Sequence, residues 1–293
     1  MSLTGRSLID RVKRSIGKYI RLPVPPYDNP AYWEGVYRQL GPDDVFEWGG
    51  ISYADVEKYT YKMKQLPADA SLETTTLAAL SSINSSNGES YTASWGDTLC
   101  VYPHCNKEEP ILMLGCGNSK FGEDMIVAGW NGPIVQVDVA SRVIESMSHR
   151  CSQYLKTGDI QLVQDDATIL SAFQNATVHA VVDKGLTDAV FCADDYEQCF
   201  DIMRAVHRVL IPSGIFCCFS FSQPEFLLHR LLHPPPDTKS RLHLHQIKSM
   251  WQNVEIRELD GILLYRFQKF APTEAKTPRT RRQGAIHGKH HLQ

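Results

Sequence analysis

Residues 111–121 read ILMLGCGNSKF. Four apolar residues, Ile111 to Leu114, have the character of a short buried strand, and they run straight into Gly115-Cys116-Gly117 and then a helix start at Asn118-Ser119. The glycines permit a tight turn and let a ligand lie against bare backbone, while a helix N-terminus presents N–H groups that lack intrahelical partners. Lys120 stands where the dinucleotide fingerprint G-x-G-x-x-G needs its third glycine. A pyrophosphate ligand is thereby disfavoured, and a nucleoside ligand without phosphates remains.

Downstream, apolar strands and amphipathic helices alternate. A helix is expected near 119–129, a strand at 134–138, a helix near 141–156, and strands at 160–164 and 178–183. A longer helix is expected over 195–210, with Met203, Val206, Val209 and Leu210 on one face. Pro212-Ser213-Gly214 then turns the chain into a strand at 215–221. Such alternation calls for an α/β fold with a mostly parallel sheet and helices on both faces. The end differs: QNVEIREL (252–259) and ILLYRFQKF (262–270) are joined at Asp260-Gly261, a strong signal for a tight antiparallel hairpin.

Carboxylates recur where these strands end. Asp138 closes IVQVD, 21 residues past Gly117, where it could accept both ribose hydroxyls of an adenosine or simply cap the next helix. In QDDATIL, Asp166 could accept from an adenine amino group while Ala167 offers its N–H to a ring nitrogen; a solvated turn is the plain alternative. Asp183 ends the strand in AVVDKGLTDAV. Gly115, Asp138, Asp166 and Asp183 thus fall in order at the carboxyl edge of the sheet, which is where open α/β sheets bind ligands. Their coincidence argues for a binding site more strongly than any one of them.

Upstream, residues 30–66 suggest two short helices around a loop containing Trp48-Gly49-Gly50, and 67–97 is a Ser/Thr-rich insertion. Residues 1–22 hold six basic residues against Asp10 and place Leu8, Ile9, Val12, Ile16, Tyr19 and Ile20 on one helical face. This basic amphipathic segment suits mitochondrial targeting, a docking helix or a phospholipid surface. Residues 271–293 form a polar, basic tail expected to be disordered. The folded part of the chain is expected between them, over 23–270. Its 19 basic and 31 acidic residues leave it at −12, although the whole chain of 293 residues is only at −3. An acidic body repels nucleic acid and favours a partner with a basic, lysine-bearing surface.

Composition excludes other classes. With 43% hydrophobic and 22% charged residues the chain can bury a sizeable core, and no apolar run is long enough for a membrane-spanning helix. Eight cysteines without framework spacing argue against a disulfide scaffold. Cys100, His104 and Cys105 have no second ligand pair downstream, so no metal is expected. The compartment expected is the cytoplasm, with the mitochondrial matrix as the alternative through residues 1–22; a monomer is expected. His207, His229, His233, His243 and His245 are read as surface or packing residues.

ILMLGCGNS, VQVDVAS, DDATIL, VDKGLTDAV and HRVLIPSGIF, in this order and spacing, resemble the motifs of the class I, seven-β-strand S-adenosylmethionine-dependent methyltransferases. LGCGNS with DKGLTDA is similar, more narrowly, to the methyltransferase-like group that methylates lysines of elongation factor 1-alpha. YWEGVYRQL and FEWGG resemble that group's aromatic entrance. The resemblance covers roughly residues 30–220 and the hairpin in general form. It implies a Rossmann-like seven-stranded sheet, S-adenosyl-L-methionine as cofactor, and methylation of a protein lysine or N-terminal amine. A small-molecule acceptor, an aminopropyl transferase and a non-catalytic binding module are the alternatives.

The same resemblance implies roles position by position. Gly115 and Gly117 would approach the methionine part, Asp138 the ribose, and Val139, Asp166 and Ala167 the adenine. Asp183 would lie near the methionine amino group, and Trp33, Tyr37 and Trp48 would close the pocket from above. Met113 departs from the acid that many superfamily members carry there, and DKGLTDA exchanges Leu186 and Thr187 relative to the group's order. No residue is assigned as a catalytic base; Asp183 or Asp188 could receive a proton through water. An aromatic wall of Trp48 or Tyr37 would favour the uncharged form of a lysine acceptor, whose free pKa is about 10.4.

Overall fold

The computed structural model describes residues 25–41, 44–58, 61–64, 90–93, 107–193, 196–224, 227, 250–259 and 261–271. The N-terminal segment, nearly all of the tail, most of the 67–97 insertion, the Cys100–Cys105 cluster and the histidines at 229–245 lie outside the described residues.

Three short elements precede the sheet: α1 (Pro30–Arg38), a 3-10 turn at Trp48–Gly50, and α2 (Tyr53–Lys58). Asn29 caps α1 by accepting from the Ala31 N–H at 2.9 Å, and Pro30 sits at the first helical position, where its missing N–H costs nothing. β1 (Tyr61–Lys64) and β2 (Ser90–Ala93) pair antiparallel as a separate ribbon.

The main sheet follows as β3 (Ile111–Leu114), β4 (Ile134–Asp138), β5 (Ile160–Gln164), β6 (Val178–Lys184), β7 (Leu210–Ser220), β8 (Trp251–Leu259) and β9 (Ile262–Lys269). Their spatial order is β5-β4-β3-β6-β7-β9-β8. β3 to β7 run parallel, and β9 is antiparallel to both β7 and β8. The Rossmann-like sheet of seven strands, mostly parallel and closed by an antiparallel hairpin, is therefore as expected.

Every residue of β3 and β4 is buried, as strands covered on both faces require. Leu112 and Leu114 face one apolar cluster, with Val206 and Met203, while Ile111 and Met113 face another with Phe121 and Met147. Helices α3 (Phe121–Val127), α4 (Ser141–Arg150) and α5 (Ser152–Thr157) cover the second face. α6 (Leu186–Cys192) and α7 (Tyr196–Val209) contribute to the first.

Several boundaries differ from the expectation. The single helix expected over 141–156 is two helices, because the chain bends at Cys151, whose side chain is fully buried. The strand expected from 215 begins at Leu210 and crosses an irregularity, where Ser213 takes φ +64° and the register with β6 shifts. The helix after the glycine turn starts at Phe121, two residues late, because Asn118 and Ser119 are used in the turn.

After β3 the chain moves outward through β4 to β5, then returns to lay β6 on the other side of β3. This reversal leaves a crevice at the carboxyl ends of β3 and β6. The register places Leu114 level with Val137 on one side and Asp183 on the other, so all three strand ends meet there.

Candidate cofactor and acceptor site

A cavity of ≈ 340 Å³ occupies this crevice, within the range of small-molecule sites. Its floor is the turn after β3. The Cys116 N–H donates to the Val137 carbonyl at 3.0 Å, and the Gly117 N–H donates to Asp138 Oδ2 at 2.9 Å. From behind, Arg150 donates to the carbonyls of Asn118 (2.8 Å) and Ser119 (2.7 Å), and it pairs with Glu123 at 2.7 Å. The turn is thus held on both sides before any ligand arrives.

Asp138 is 7% exposed and lines the cavity. Oδ1 accepts from the Ala140 N–H at 2.9 Å, and the Val139 N–H also faces the carboxylate. Burial raises its pKa, opposed by these N–H groups. A carboxylate has roughly four acceptor positions, so room remains for a hydroxyl from the cavity. Asp166 lies at the far end, where its Oδ1 accepts from the N–H (2.8 Å) and hydroxyl (2.7 Å) of Thr168. Asp165 pins the same turn by accepting from Ser171 and from the Ala172 N–H.

The roof comes from upstream. Trp33 and Tyr37 on α1 stack with ring centres 6.1 Å apart, and the Trp33 indole donates to the Tyr27 carbonyl at 2.7 Å. The Tyr37 hydroxyl lies 2.5 Å from where a Cβ on Gly117 would stand, so only glycine admits it at that φ of +52°. Burial and the nearby Asp138 charge raise the Tyr37 pKa, which keeps it an O–H donor. On the other side, Trp48 lies flat against Gly185, with ring atoms 2.3 Å from a Cβ that is missing there. Phe46 and Phe221 flank Trp48 at 6.4 and 6.5 Å, and both are about half exposed (52% and 49%).

Nine of the ten residues expected at the site line this one cavity: Trp33, Tyr37, Trp48, Gly115, Gly117, Asp138, Val139, Asp166 and Ala167. Asp183 does not. Its carboxylate is fully buried beneath the floor and turned toward α6, accepting from the N–H groups of Leu186 (2.8 Å) and Thr187 (3.0 Å) and from the Thr187 hydroxyl. It caps a helix, and burial raises its pKa to about 6. Thr187 is occupied with Asp183 and does not line the cavity. Asp188 is likewise engaged, by the Ser220 hydroxyl and the Phe221 N–H (2.8 Å). Neither aspartate lines the cavity. His207 packs edge-on against Trp251, away from the site, and burial lowers its pKa to about 4.

Four residues that the sequence reading passed over shape the site. Asn118 ties the turn to the upstream loop, donating to the Asp44 carbonyl (2.6 Å) and accepting from the Phe46 N–H (3.1 Å). Lys184 lines the cavity, pairs with Glu47 and donates to the Ile51 carbonyl at 3.1 Å. Glu34 accepts from the Ser141 hydroxyl at 2.5 Å, and Glu47 accepts from the Ser119 hydroxyl at 2.7 Å. The signal was there in Asn118 and Lys184, as polar residues inside motifs that otherwise read as ligand-binding. Among the described residues no cluster of His, Cys, Asp or Glu could hold a metal ion.

Residues 112–218 match the family model described as a methyltransferase domain. The chain is 29% identical over 136 residues to the mouse eEF1A lysine and N-terminal methyltransferase, a match covering 45% of this chain and 19% of that protein. It is 26% identical over 145 residues to bovine EEF1A lysine methyltransferase 4, covering 45% of this chain and 55% of that one. The match therefore spans only part of either relative. Among solved structures, a SAM-dependent methyltransferase of Methanosarcina mazei is 18% identical, with a TM-score of 0.42, over 59% of this chain and 100% of that one.

Proposed function

From a chain whose residues 112–218 match a methyltransferase domain model, we infer an S-adenosylmethionine-dependent methyltransferase acting on an amine of a protein, a lysine side chain or an N-terminus. The observation that carries the cofactor assignment is Asp138, a buried carboxylate with acceptor capacity remaining, set beside the Gly115–Gly117 turn in an apolar, aromatic-roofed cavity. Gly115 and Gly117 expose backbone to the methionine part, Asp138 holds the ribose, and Val139, Asp166 and Ala167 surround the adenine. With Asp183 committed to α6, the methionine amine is left to backbone carbonyls of the turn. The names of the relatives, both lysine methyltransferases of an elongation factor, support the protein acceptor.

Bound, the cofactor supplies a methyl group on a sulfonium that is already activated. The protein's task is alignment and exclusion of water. An amine acceptor must arrive unprotonated, and an apolar wall lowers the pKa of a lysine placed against it. Trp48, flanked by the exposed rings of Phe46 and Phe221, supplies such a wall where the cavity meets solvent. No cavity-lining side chain is assigned as a general base. A proton lost to bulk water before entry is sufficient, and it makes the rate rise with pH toward the acceptor's own pKa.

The test is transfer of tritium label from S-adenosylmethionine to recombinant elongation factor 1-alpha and to a whole-cell protein extract, with Asp138→Ala in parallel. A discrete labelled protein band that disappears in the variant is expected. Cofactor binding by calorimetry without any labelled protein would move the acceptor to a small molecule, and absence of binding would sink the enzyme reading itself.

A further inference from the structure

Two helices that follow cavity-forming strands start after residues whose own side chains make no cap bond, and at α3 the Ser119 hydroxyl accepts from the Phe121 N–H at 3.0 Å. α3 begins after Lys120 and α4 after Ala140, and neither residue makes a side-chain cap bond. In both cases a glutamate from the upstream segment reaches the start of the helix. Glu34, on α1, accepts from the Ser141 hydroxyl at 2.5 Å and the Arg142 N–H at 3.3 Å, at the start of α4. Glu47 accepts from the Lys120 N–H (2.7 Å) and the Ser119 hydroxyl (2.7 Å), at the start of α3, and pairs with Lys184. A carboxylate at a helix N-terminus is favoured by both the unsatisfied N–H groups and the helix dipole.

Neither glutamate lines the cavity, yet the residues beside them do: Trp33 and Tyr37 around Glu34, Phe46 and Trp48 around Glu47. We propose that Glu34 and Glu47 are positioning residues that fasten the roof as two separate catches, the second beside the tie that Asn118 makes to Asp44 and Phe46. Glu34 holds the half over the Asp138 side, and Glu47 holds the half over the Lys184–Gly185 side. The division into two follows from the chain itself, since α1 and the 48–50 turn are joined by a loop and anchored to different helices. Given the cofactor reading above, the first half covers the adenosine part and the second the methionine part and the acceptor entrance.

Glu47 carries an additional duty. Lys184 is 8% exposed, and burial lowers its pKa, opposed by Glu47. The pair therefore ties the roof to the end of β6 as well as to α3. Removing Glu47 alone strands a buried cation, which is itself destabilising. The paired change Glu47→Ala with Lys184→Met removes the catch without that burden.

Two measurements on the full chain test the proposal. Amide hydrogen exchange without ligand reads the catches directly. Glu34→Ala is expected to speed exchange over 31–38 only, and Glu47→Ala, or the paired variant, over 46–51 only, with β3 and β4 unchanged. Calorimetric titration with adenosine and with S-adenosylmethionine reads their use. Glu34→Ala should weaken both ligands by the same factor, roughly 3- to 30-fold for a lost cap. The Glu47 variants should weaken S-adenosylmethionine by a similar factor and leave adenosine within about twofold. A merely structural role would weaken both ligands alike at both positions, and that result overturns the division. Unchanged exchange in both segments overturns the fastening. Wild-type protein that binds neither ligand removes the cofactor reading alone, and the ligand-free exchange data still decide on the two catches.

Discussion

Gly185 and Asp183 stand two residues apart in one motif and do different work. Gly185 has φ +103°, and a Cβ there would meet the Trp48 ring at 2.3 Å. Gly185→Ala should therefore lower the melting temperature and push Trp48 out of the cavity wall. Gly158→Ala is the control: its φ is +86°, but nothing lies within 4 Å of the added carbon, so it bears backbone strain alone, about 1 kcal/mol. Thermal melts of the two variants, with cofactor titrations beside them, separate strain from collision. Asp183 has its pKa raised from 3.8 to about 6 by burial. Between these values the native state holds a proton that the unfolded chain has released. Stability should thus increase as pH falls from about 6 toward 4, and the cost of the buried charge is fully present above pH 6. Asp183→Asn should abolish this dependence in denaturant melts compared between pH 7 and pH 5. It should also cost on the order of 1–3 kcal/mol at either pH, because its NH2 group must face an N–H.

Among the elements, a lysine on the hairpin reaches the end of α7. Lys269 on β9 donates to the carbonyls of His207 (2.7 Å) and Leu210 (2.5 Å), where α7 ends, and burial lowers its pKa. A charge at that end of a helix is worth about 0.3–2 kcal/mol. Lys269→Met should cost that much in chemical unfolding. It should also raise the pKa of His207 above about 4, since the Lys269 charge is its second cause after burial. Burial remains, so the value should stay below 6.5 in an NMR titration. His207 has the opposite linkage to Asp183. It is neutral in the fold, so its contribution is complete above about pH 6.5 and is lost as pH falls toward 4. Glu255 and Arg266 pair at 3.2 Å between β8 and β9 and are both buried, which fixes the register of the hairpin.

For the molecule as a whole, ligand binding and fold stability are linked. A ligand bound only by the native state stabilises it by about 2.7 kcal/mol at a hundredfold excess over its Kd. S-adenosylmethionine should therefore raise the melting temperature of the wild-type chain and leave that of Asp138→Ala unchanged. The −12 charge of residues 23–270 adds a second expectation. Methylation of a basic protein should slow as ionic strength rises, through a higher KM, because screening weakens long-range attraction. A rate indifferent to salt would argue for an uncharged acceptor.

Local chemistry made much of this legible without coordinates. The run from Ile111 to Gly117 announces a buried strand and a backbone left bare, and Asp260-Gly261 announces a hairpin, because both are properties of consecutive residues. The order of carboxylates along the chain marks one edge of the sheet for the same reason, since parallel strands all end there. What a residue's side chain meets across the crevice is not a local property. Asp183 and Asp138 both follow apolar strands, and only the tertiary structure turns one toward α6 and the other toward the cavity. Glu34 and Glu47 read as ordinary surface glutamates until the chain brings them 107 and 72 residues forward, to Ser141 and Ser119. The sequence by itself determined the strands, the turn and the edge where the cavity lies, through periodicity and backbone freedom. Which carboxylates face that cavity was decided by tertiary packing, because what a side chain meets across the crevice depends on segments distant in the sequence.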